Sequence, residues 1–576
     1  MNRPTNLREN KWHIPPTMPA SLLEQVGNIH PVLLQVLYNR GISNPAQIQA
    51  FLDGHYLQST DPFLLPDMKK AVDRIQQALD NDELIIVYGD FDADGVTSTV
   101  LLTQALRGLG AARQQAQPYI PDRIDEGYGL NKEALTFLKE EKGAHLVITV
   151  DCGIRSVDEV VHANEIGLDM IVTDHHSLGP ELPPATAVIN PKRPESTYPE
   201  TMLAGVGIAY KLAQALRQTM PERAQFSEEE LLDLVAIGTV ADLAPLLGEN
   251  RKLVADGLIS LNQSRRPGIA ALKETARING NLTAESIAFG IGPRINAAGR
   301  LAHAYDAAKL LAVNNTIDAK RFAANLNDLN RRRQQLTADL GAMAEEMVKP
   351  DAPILIAADS QFVPGIVGLV ASRLAEKNYR PAIVIEQGES ESRGSCRSIP
   401  EFHITDALDE VADLLVRHGG HAQAAGFTVH NDNLPLFIER MTEIAHQQLD
   451  GQPLFPTITI DTELDLNDID WALHESLMRL EPTGYANPTP VFMSRTVEVM
   501  GHRVVGQDGS HLQLTVGSGE QNGRLHKQFP AIAFRQSAWA DCLPQWIDIV
   551  YTINVNKWQG RENLQLMVQD IRSAKL

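Results

Sequence analysis

The chain has 576 residues, of which 43% are hydrophobic and 21% charged, and it carries a formal net charge of −21. That length exceeds one hydrophobic core and points to about three to four domains. The charge argues against a protein that coats nucleic acid by bulk electrostatics, although a local basic groove or bound cations can still attract phosphate inside an acidic shell.

Three cysteines, Cys152, Cys396 and Cys542, are odd in number and widely spaced. They make no disulfide framework and suggest a reducing cytoplasm. No run of about twenty apolar residues suggests a membrane span. The opening stretch MNRPTNLRENKWHIPP lacks the apolar centre of a secretory signal.

Residues 1–70 read as a short helical lead-in that ends in the turn-rich stretch GHYLQSTDPFLLPDM. Alternation then begins. KKAVDRIQQALD predicts a helix, LIIVYG (84–89) a buried strand, and VTSTVLLTQALRGLG a helix closed by Gly110. HLVITV (145–150) and LDMIVTD (168–174) follow as strands with helices between them, and LLDLVAIGTVADLAPLL (231–247) is helical. Short apolar strands alternating with amphipathic helices predict an α/β domain over 71–300, a parallel sheet covered on both faces.

Residues 316–349 hold the longest uninterrupted helical pattern, so 301–349 reads as a helical connector. A second α/β region, 350–450, contains PILIAAD and PAIVIE as strands, with a helix from Ile366 and another after His403. From 455 to 576 short strands such as TITID, HLQLTV and WIDIVYTINVN predict a small β-barrel.

Chemistry concentrates at the strand ends of the first domain. VYGDFDADG, VITVDCG and IVTDHH each close an apolar run with acid or histidine, and GTVADLAPL adds Asp242. One aspartate after a strand is ordinarily a turn former or helix cap. Three successive clusters at the carboxyl edge, where open parallel sheets bind ligands, suggest a metal site instead. Oxygen ligands with imidazole suit Mn²⁺ or Mg²⁺ better than a thiolate-seeking metal.

DHH at 174–176, with DFDADG upstream and DCG between, resembles the DHH phosphoesterase superfamily. EGYGL (126–130), LAGVGIAYKL (203–212), GPRINAAGR (292–300) and GGHAQAAGF (419–427) extend the resemblance over nearly the whole chain, towards its single-strand-specific 5′→3′ DNA exonucleases. The resemblance implies a DHH catalytic domain, a DHH-associated domain and a C-terminal OB-like barrel. It implies two ions, Mn²⁺ or Mg²⁺, held by Asp92, Asp94, Asp151, His175 and Asp242, with Asp151 bridging. His176 would face the scissile phosphate, while Asp90 and Asp174 orient ligands and imidazoles. Many superfamily members carry His where Tyr88 stands, so one ion is expected to be weakly held.

Arg123, Arg294, Asn296, Arg300, Ser395, Arg397 and His421 are the expected substrate contacts, with some of Ser395, Arg397 and Arg294 receiving the 5′ phosphate. Tyr485 and Phe427 are candidate platforms for base stacking. The implied protein is a monomer that works on single-stranded DNA with single-strand-binding protein and a RecQ-type helicase, in recombination and mismatch repair. Two other readings are a phosphodiesterase for short oligoribonucleotides or cyclic dinucleotides, and a non-catalytic nucleic-acid scaffold. Length and added domains disfavour the first; intact carboxylates and histidines disfavour the second.

Overall fold

The computed structural model describes residues 4, 7–122, 129–518, 527–558 and 560–574, which divide into two compact units. The chain opens with β1 (Lys11–His13) and three short helices up to Leu52. In the unit Gln58–Leu454, β2 (Ile85–Gly89), β3 (Ala116–Tyr119), β4 (Leu146–Val150), β5 (Asp169–Thr173) and β6 (Ala187–Ile189) pair in the order β3-β2-β4-β5-β6. Every pair is parallel.

All residues of β2 and β4 are buried. Strand alternation divides them between two cores: Ile85 and Val87 face helices Met68–Asp80, Ala93–Gly108 and Gly205–Thr219, while Ile86 and Tyr88 face Lys132–Glu140 and Val157–Glu165. Each fully buried aliphatic side chain contributes about 1.5–3 kcal/mol over exposure. The strands are thereby pinned from both faces, and their polar ends are held in place.

The helix Thr316–Met347 has 32 residues, about 48 Å at the usual rise. Ala319, Ala323 and Leu326 pack into the first domain, and Leu340 and Ala344 into the second. It is a strut built into both cores. The second domain holds β7 (Leu355–Asp359), β8 (Ala382–Gln387), β9 (Glu391–Arg397), β10 (Leu415–His421) and β11 (Ala424–His430), in the order β10-β11-β9-β8-β7. Only β7 and β8 run parallel.

The other unit joins Met1–Leu57 to Phe455–Leu576. Its strands are β12 (Thr457–Thr459), β13 (Thr462–Glu463), β14 (Phe492–Val505), β15 (His511–Ser518), β16 (Gln528–Ala533), β17 (Trp546–Trp558) and β18 (Arg561–Ser573). Among the described residues β14-β15-β16-β18-β17 close on β14 as a five-stranded barrel. β1 pairs with β12, Trp12 Nε1 donates to Asp570 Oδ2 at 2.8 Å, and the Arg572 guanidinium lies 4.0 Å over the Trp12 ring. The expected lead-in over 1–70 therefore does not form one piece, because its first 57 residues belong with the barrel. No described helix is long and apolar enough to cross a membrane.

Candidate active site

The turn after β2 is shorter than its sequence suggests. The helix begins at Ala93, not at Val96, because Asp92 caps it: Oδ1 accepts from Asp94 N at 2.9 Å and Gly95 N at 3.1 Å. Asp94 therefore sits in the first helical turn, where the macrodipole favours negative charge. Its two oxygens accept from Gly205 N at 2.7 Å and Val206 N at 2.8 Å. These amides open the helix Gly205–Thr219, so two helix N-termini share one acid. Glycines permit this crowding: a Cβ on Gly205 would lie 2.6 Å from Asp151 Oδ1, and one on Gly238 2.8 Å from Asp94 Oδ1.

Asp151 follows β4 with φ +62, a left-handed conformation for a non-glycine residue, and its side chain is buried. From the end of β5, His175 brings Nε2 to 3.2 Å from Asp151 Oδ1 and 3.8 Å from Asp242 Oδ2. Lys192 Nζ donates to the His175 carbonyl at 2.5 Å. Asp174 accepts from His176 Nδ1 at 2.7 Å, from His176 N at 3.0 Å and from Ile154 N at 3.0 Å. His176 is thus oriented by Asp174, while the His175 ring points into the acids.

Burial raises the Asp94 carboxyl to about 7, helped by Asp92, and raises Asp242 to about 9, helped by Asp94 and Asp92. Burial and the surrounding acids also push Asp151 well above its usual range. Burial and the neighbouring His176 ring push His175 down to about 3. Burial alone would raise Asp174, but the His176 and Ile154 hydrogen bonds hold it below its usual value. Burial opposes charge on His176, and Asp174 with the nearby acids overcomes this and raises its pKa.

Among the described residues three groups of side chains offer ligand atoms within 4.8 Å of one another: Asp94, His175 and Asp242; Asp90, Asp92 and Asp151; Asp151, His175 and His176. Asp151 Oδ1 and His175 Nε2 are buried and make no hydrogen bond among the described residues. Repelling carboxylates and a neutral imidazole whose ring nitrogen faces them fit divalent cations. Tyr88 stands apart, its hydroxyl donating to Gly129 O at 3.0 Å within the apolar cluster of Ile86 and Leu130.

Beside the acids opens a cleft of about 700 Å³ between the two domains of this unit, lined by Asp90, Asp92, His176, Asn296, Arg300, Arg393, Ser395, Arg397 and Arg417. Asn296 and Arg300 share a face of the helix Gly292–Leu301, and Asn296 Oδ1 accepts from Ala93 N at 2.7 Å. Arg393, Ser395 and Arg397 alternate along β9 and share its cleft face, whereas Ser392, Gly394 and Cys396 are buried. His421 borders an adjoining hollow of about 320 Å³ with Asp174 and His176.

The structure places other expected residues differently. Arg294 does not line the cleft: two residues from Asn296, it points to the opposite face, where Nη1 donates to Gly290 O at 2.7 Å. Phe427 borders the cleft but is only 5% exposed, its ring tilted at 38° against Phe437 with centroids 4.5 Å apart, so most of the ring packs in the core. Tyr485, in the barrel unit, is exposed. Arg123 lies outside the described residues. Sequence reasoning missed Lys192 and Arg417; the period-two spacing of Arg417 with His421 in RHGGH was the available signal.

Residues 84–239 match the DHH family, N-terminal domain, 351–447 the DHHA1 domain and 460–570 the RecJ OB domain. The chain is 38% identical over 96% of its length to the single-stranded-DNA-specific exonuclease RecJ of Bacillus subtilis (strain 168), of which it covers 69%. It is 35% identical over 99% of its length to the protein of that name from Dickeya dadantii (strain 3937), of which it covers 100%. The crystal structure of RecJ in complex with Mn²⁺ from Thermus thermophilus matches it with a TM-score of 0.83 at 30% identity, over 98% of this chain and 80% of that one. With the Dickeya dadantii relative matched end to end and all three domain families found in order, the chain belongs to the RecJ family of single-stranded-DNA-specific exonucleases.

Proposed function

We propose that this protein degrades single-stranded DNA from the 5′ end, hydrolysing phosphodiesters with two divalent cations, Mn²⁺ or Mg²⁺. One observation carries the reading: the buried Asp151 Oδ1 and His175 Nε2, 3.2 Å apart and without hydrogen bonds among the described residues, lie next to Asp90, Asp92 and His176, which line an arginine-rich cleft. Asp94, His175 and Asp242 would hold one ion, and Asp90, Asp92 and Asp151 the other, while Asp151 also lies within reach of His175. Asp90, expected to orient ligands, would then be a ligand itself. The ions, when bound, lower the pKa of the attacking water and offset charge on the phosphate.

The chain's own groups do the rest. Asp174 fixes the His176 ring and favours its protonated form, so that it can donate to the phosphate or the leaving oxygen. Arg300, Arg393 and Arg417 line the path of the backbone, and forked guanidinium donors match phosphate. Ser395 and Arg397, neighbours on the cleft wall, would receive the terminal 5′ phosphate and so set polarity.

The test is a strand labelled at either end, single or double, DNA or RNA, incubated with Mn²⁺ or Mg²⁺. A mononucleotide from the 5′ end of single-stranded DNA should appear first. His175→Ala and Asp92→Ala should abolish cleavage while melting cooperatively; near-parental Mn²⁺-dependent activity in either variant defeats the assignment. Action as a cytoplasmic monomer in recombination and mismatch repair, with single-strand-binding protein and a RecQ-type helicase, is supported by family membership. Sedimentation of the chain alone and with each partner checks it, and absence of co-sedimentation would remove that partner.

A further inference from the structure

On the far side of the helix Gly292–Leu301 from the cleft, Arg277, Arg294 and Arg331 line a second hollow of about 330 Å³, with Phe289 and Asn330. Among the described residues none of its lining side chains is acidic, in a chain whose net charge is −21. The nearest pairing is Arg331 with Asp328 at 3.9 Å, both solvent-exposed and therefore weak. Arg294 is held towards the hollow by Gly290 O and Asn327 Oδ1.

Three further features point to a ligand. Asn330 is 3% exposed, and its Oδ1 has no hydrogen-bond partner among the described residues. Phe289 is 79% exposed and rides on a π-helical turn, Ile287–Ile291, a geometry that recurs at functional sites. Arg277 takes φ +56, an unfavourable backbone for a non-glycine residue. Crowded cations want an anion, and a bare ring beside them wants a flat apolar face. A nucleotide supplies both, phosphate for the guanidinium forks and a base for the ring.

We propose that this hollow binds one nucleotide of a single strand, its phosphate on Arg277, Arg294 and Arg331 and its base on Phe289. The site lies outside the hydrolytic cleft and goes beyond the cleavage reaction: a second grip would keep the enzyme on long DNA between cuts.

The test compares the full chain with an Arg277→Glu, Arg331→Glu double variant and with Phe289→Ala. Binding of a fluorescein-labelled 30-nucleotide strand is titrated in EDTA at several salt concentrations, and hydrolysis of a 5′-phosphorylated dinucleotide is followed in Mn²⁺. Each phosphate contact contributes about 0.7 to the salt slope on single strands. The double variant should bind the 30-mer at least fivefold more weakly with a shallower slope, and Phe289→Ala about threefold more weakly. Dinucleotide hydrolysis should stay within twofold. Unchanged 30-mer binding in both variants overturns the proposal, as does an equal loss on the dinucleotide. Calorimetry with deoxyadenosine monophosphate separates a free nucleotide from a strand: tight binding abolished by the double variant, with 30-mer affinity unaffected, also overturns it. The binding arm needs no hydrolysis, so it stands apart from the cleavage reaction.

Discussion

His175 Nε2 stands 3.2 Å from Asp151 Oδ1, and neither atom makes a hydrogen bond among the described residues. Leaving buried polar atoms unsatisfied costs about 1–3 kcal/mol each. Asp94 and Asp242, raised to about 7 and about 9, add repulsion to that cost. A cation between these groups removes both penalties, so the metal centre belongs to the stability of the fold as well as to its chemistry.

The first expected outcome is a pH-dependent metal effect on melting. In an unfolded chain these carboxyls titrate near 3.9, whereas the fold raises Asp94 and Asp242 to about 7 and about 9. Metal-free protein therefore keeps their contribution below about pH 4 and loses it as pH rises through about 7 to 9. Mg²⁺ should raise Tm more at pH 8.5 than at pH 6, measured by calorimetry against EDTA. An equal increment at both pH values would contradict the burial of these charges.

The two ion sites should differ in affinity. Asp90, Asp92 and Asp151 offer oxygen alone, while Asp94, His175 and Asp242 include an imidazole, a softer donor that Mn²⁺ accepts more readily than Mg²⁺ does. Mn²⁺ titration should show a tight and a loose class, and Asp90→Asn should weaken the loose class about ten- to a hundredfold. Loss of the tight class instead would place Asp90 elsewhere.

Arg397 gives a third outcome. Its guanidinium lies beside Ser395 Oγ at 3.2 Å in the cleft. A charge-assisted hydrogen bond to a terminal phosphate contributes about 1.5–3 kcal/mol, roughly ten- to a hundredfold in Kd. Removing the 5′ phosphate from an oligonucleotide should weaken its binding to the parent by that factor and scarcely alter binding to Arg397→Ala. Equal losses in both proteins would place the phosphate on another group.

How far the site was legible depends on the range of the interactions. DFDADG announced itself as one of three acidic strand ends in succession; Asp92 alone is accounted for as a helix cap, but its recurrence with Asp151 and Asp174 is not. Arg393, Ser395 and Arg397 were found as a motif, yet their common face needed β9 to be recognised as a strand. Arg294 was grouped with Arg300 because composition ignores helical phase; the 3.6-residue period puts Asn296, not Arg294, beside Arg300. The pairing of Trp12 with Asp570 spans 558 positions, and no local pattern in residues 1–57 signals it.

Catalysis should also depend on how closely the two domains of Gln58–Leu454 meet. A Cβ on Gly299 would lie 2.3 Å from Phe91 O, and one on Gly365 2.3 Å from Arg300 O. Arg300 Nη1 returns a hydrogen bond to Gly365 O at 3.2 Å. The turn before Asp92, the helix Gly292–Leu301 and the start of the helix Pro364–Asn378 thus stack backbone on backbone, which fixes Ser395 and Arg397 relative to the acids. In Gly365→Ala the new methyl meets a backbone carbonyl, so the second domain must retreat, at about 1–3 kcal/mol of stability. A displacement near 1 Å can cost about a hundredfold in rate, while the acids stay on the other domain. Mn²⁺ affinity should therefore match the parent as single-turnover cleavage falls at least tenfold; parental cleavage with the expected loss of stability would show that the cleft tolerates the shift.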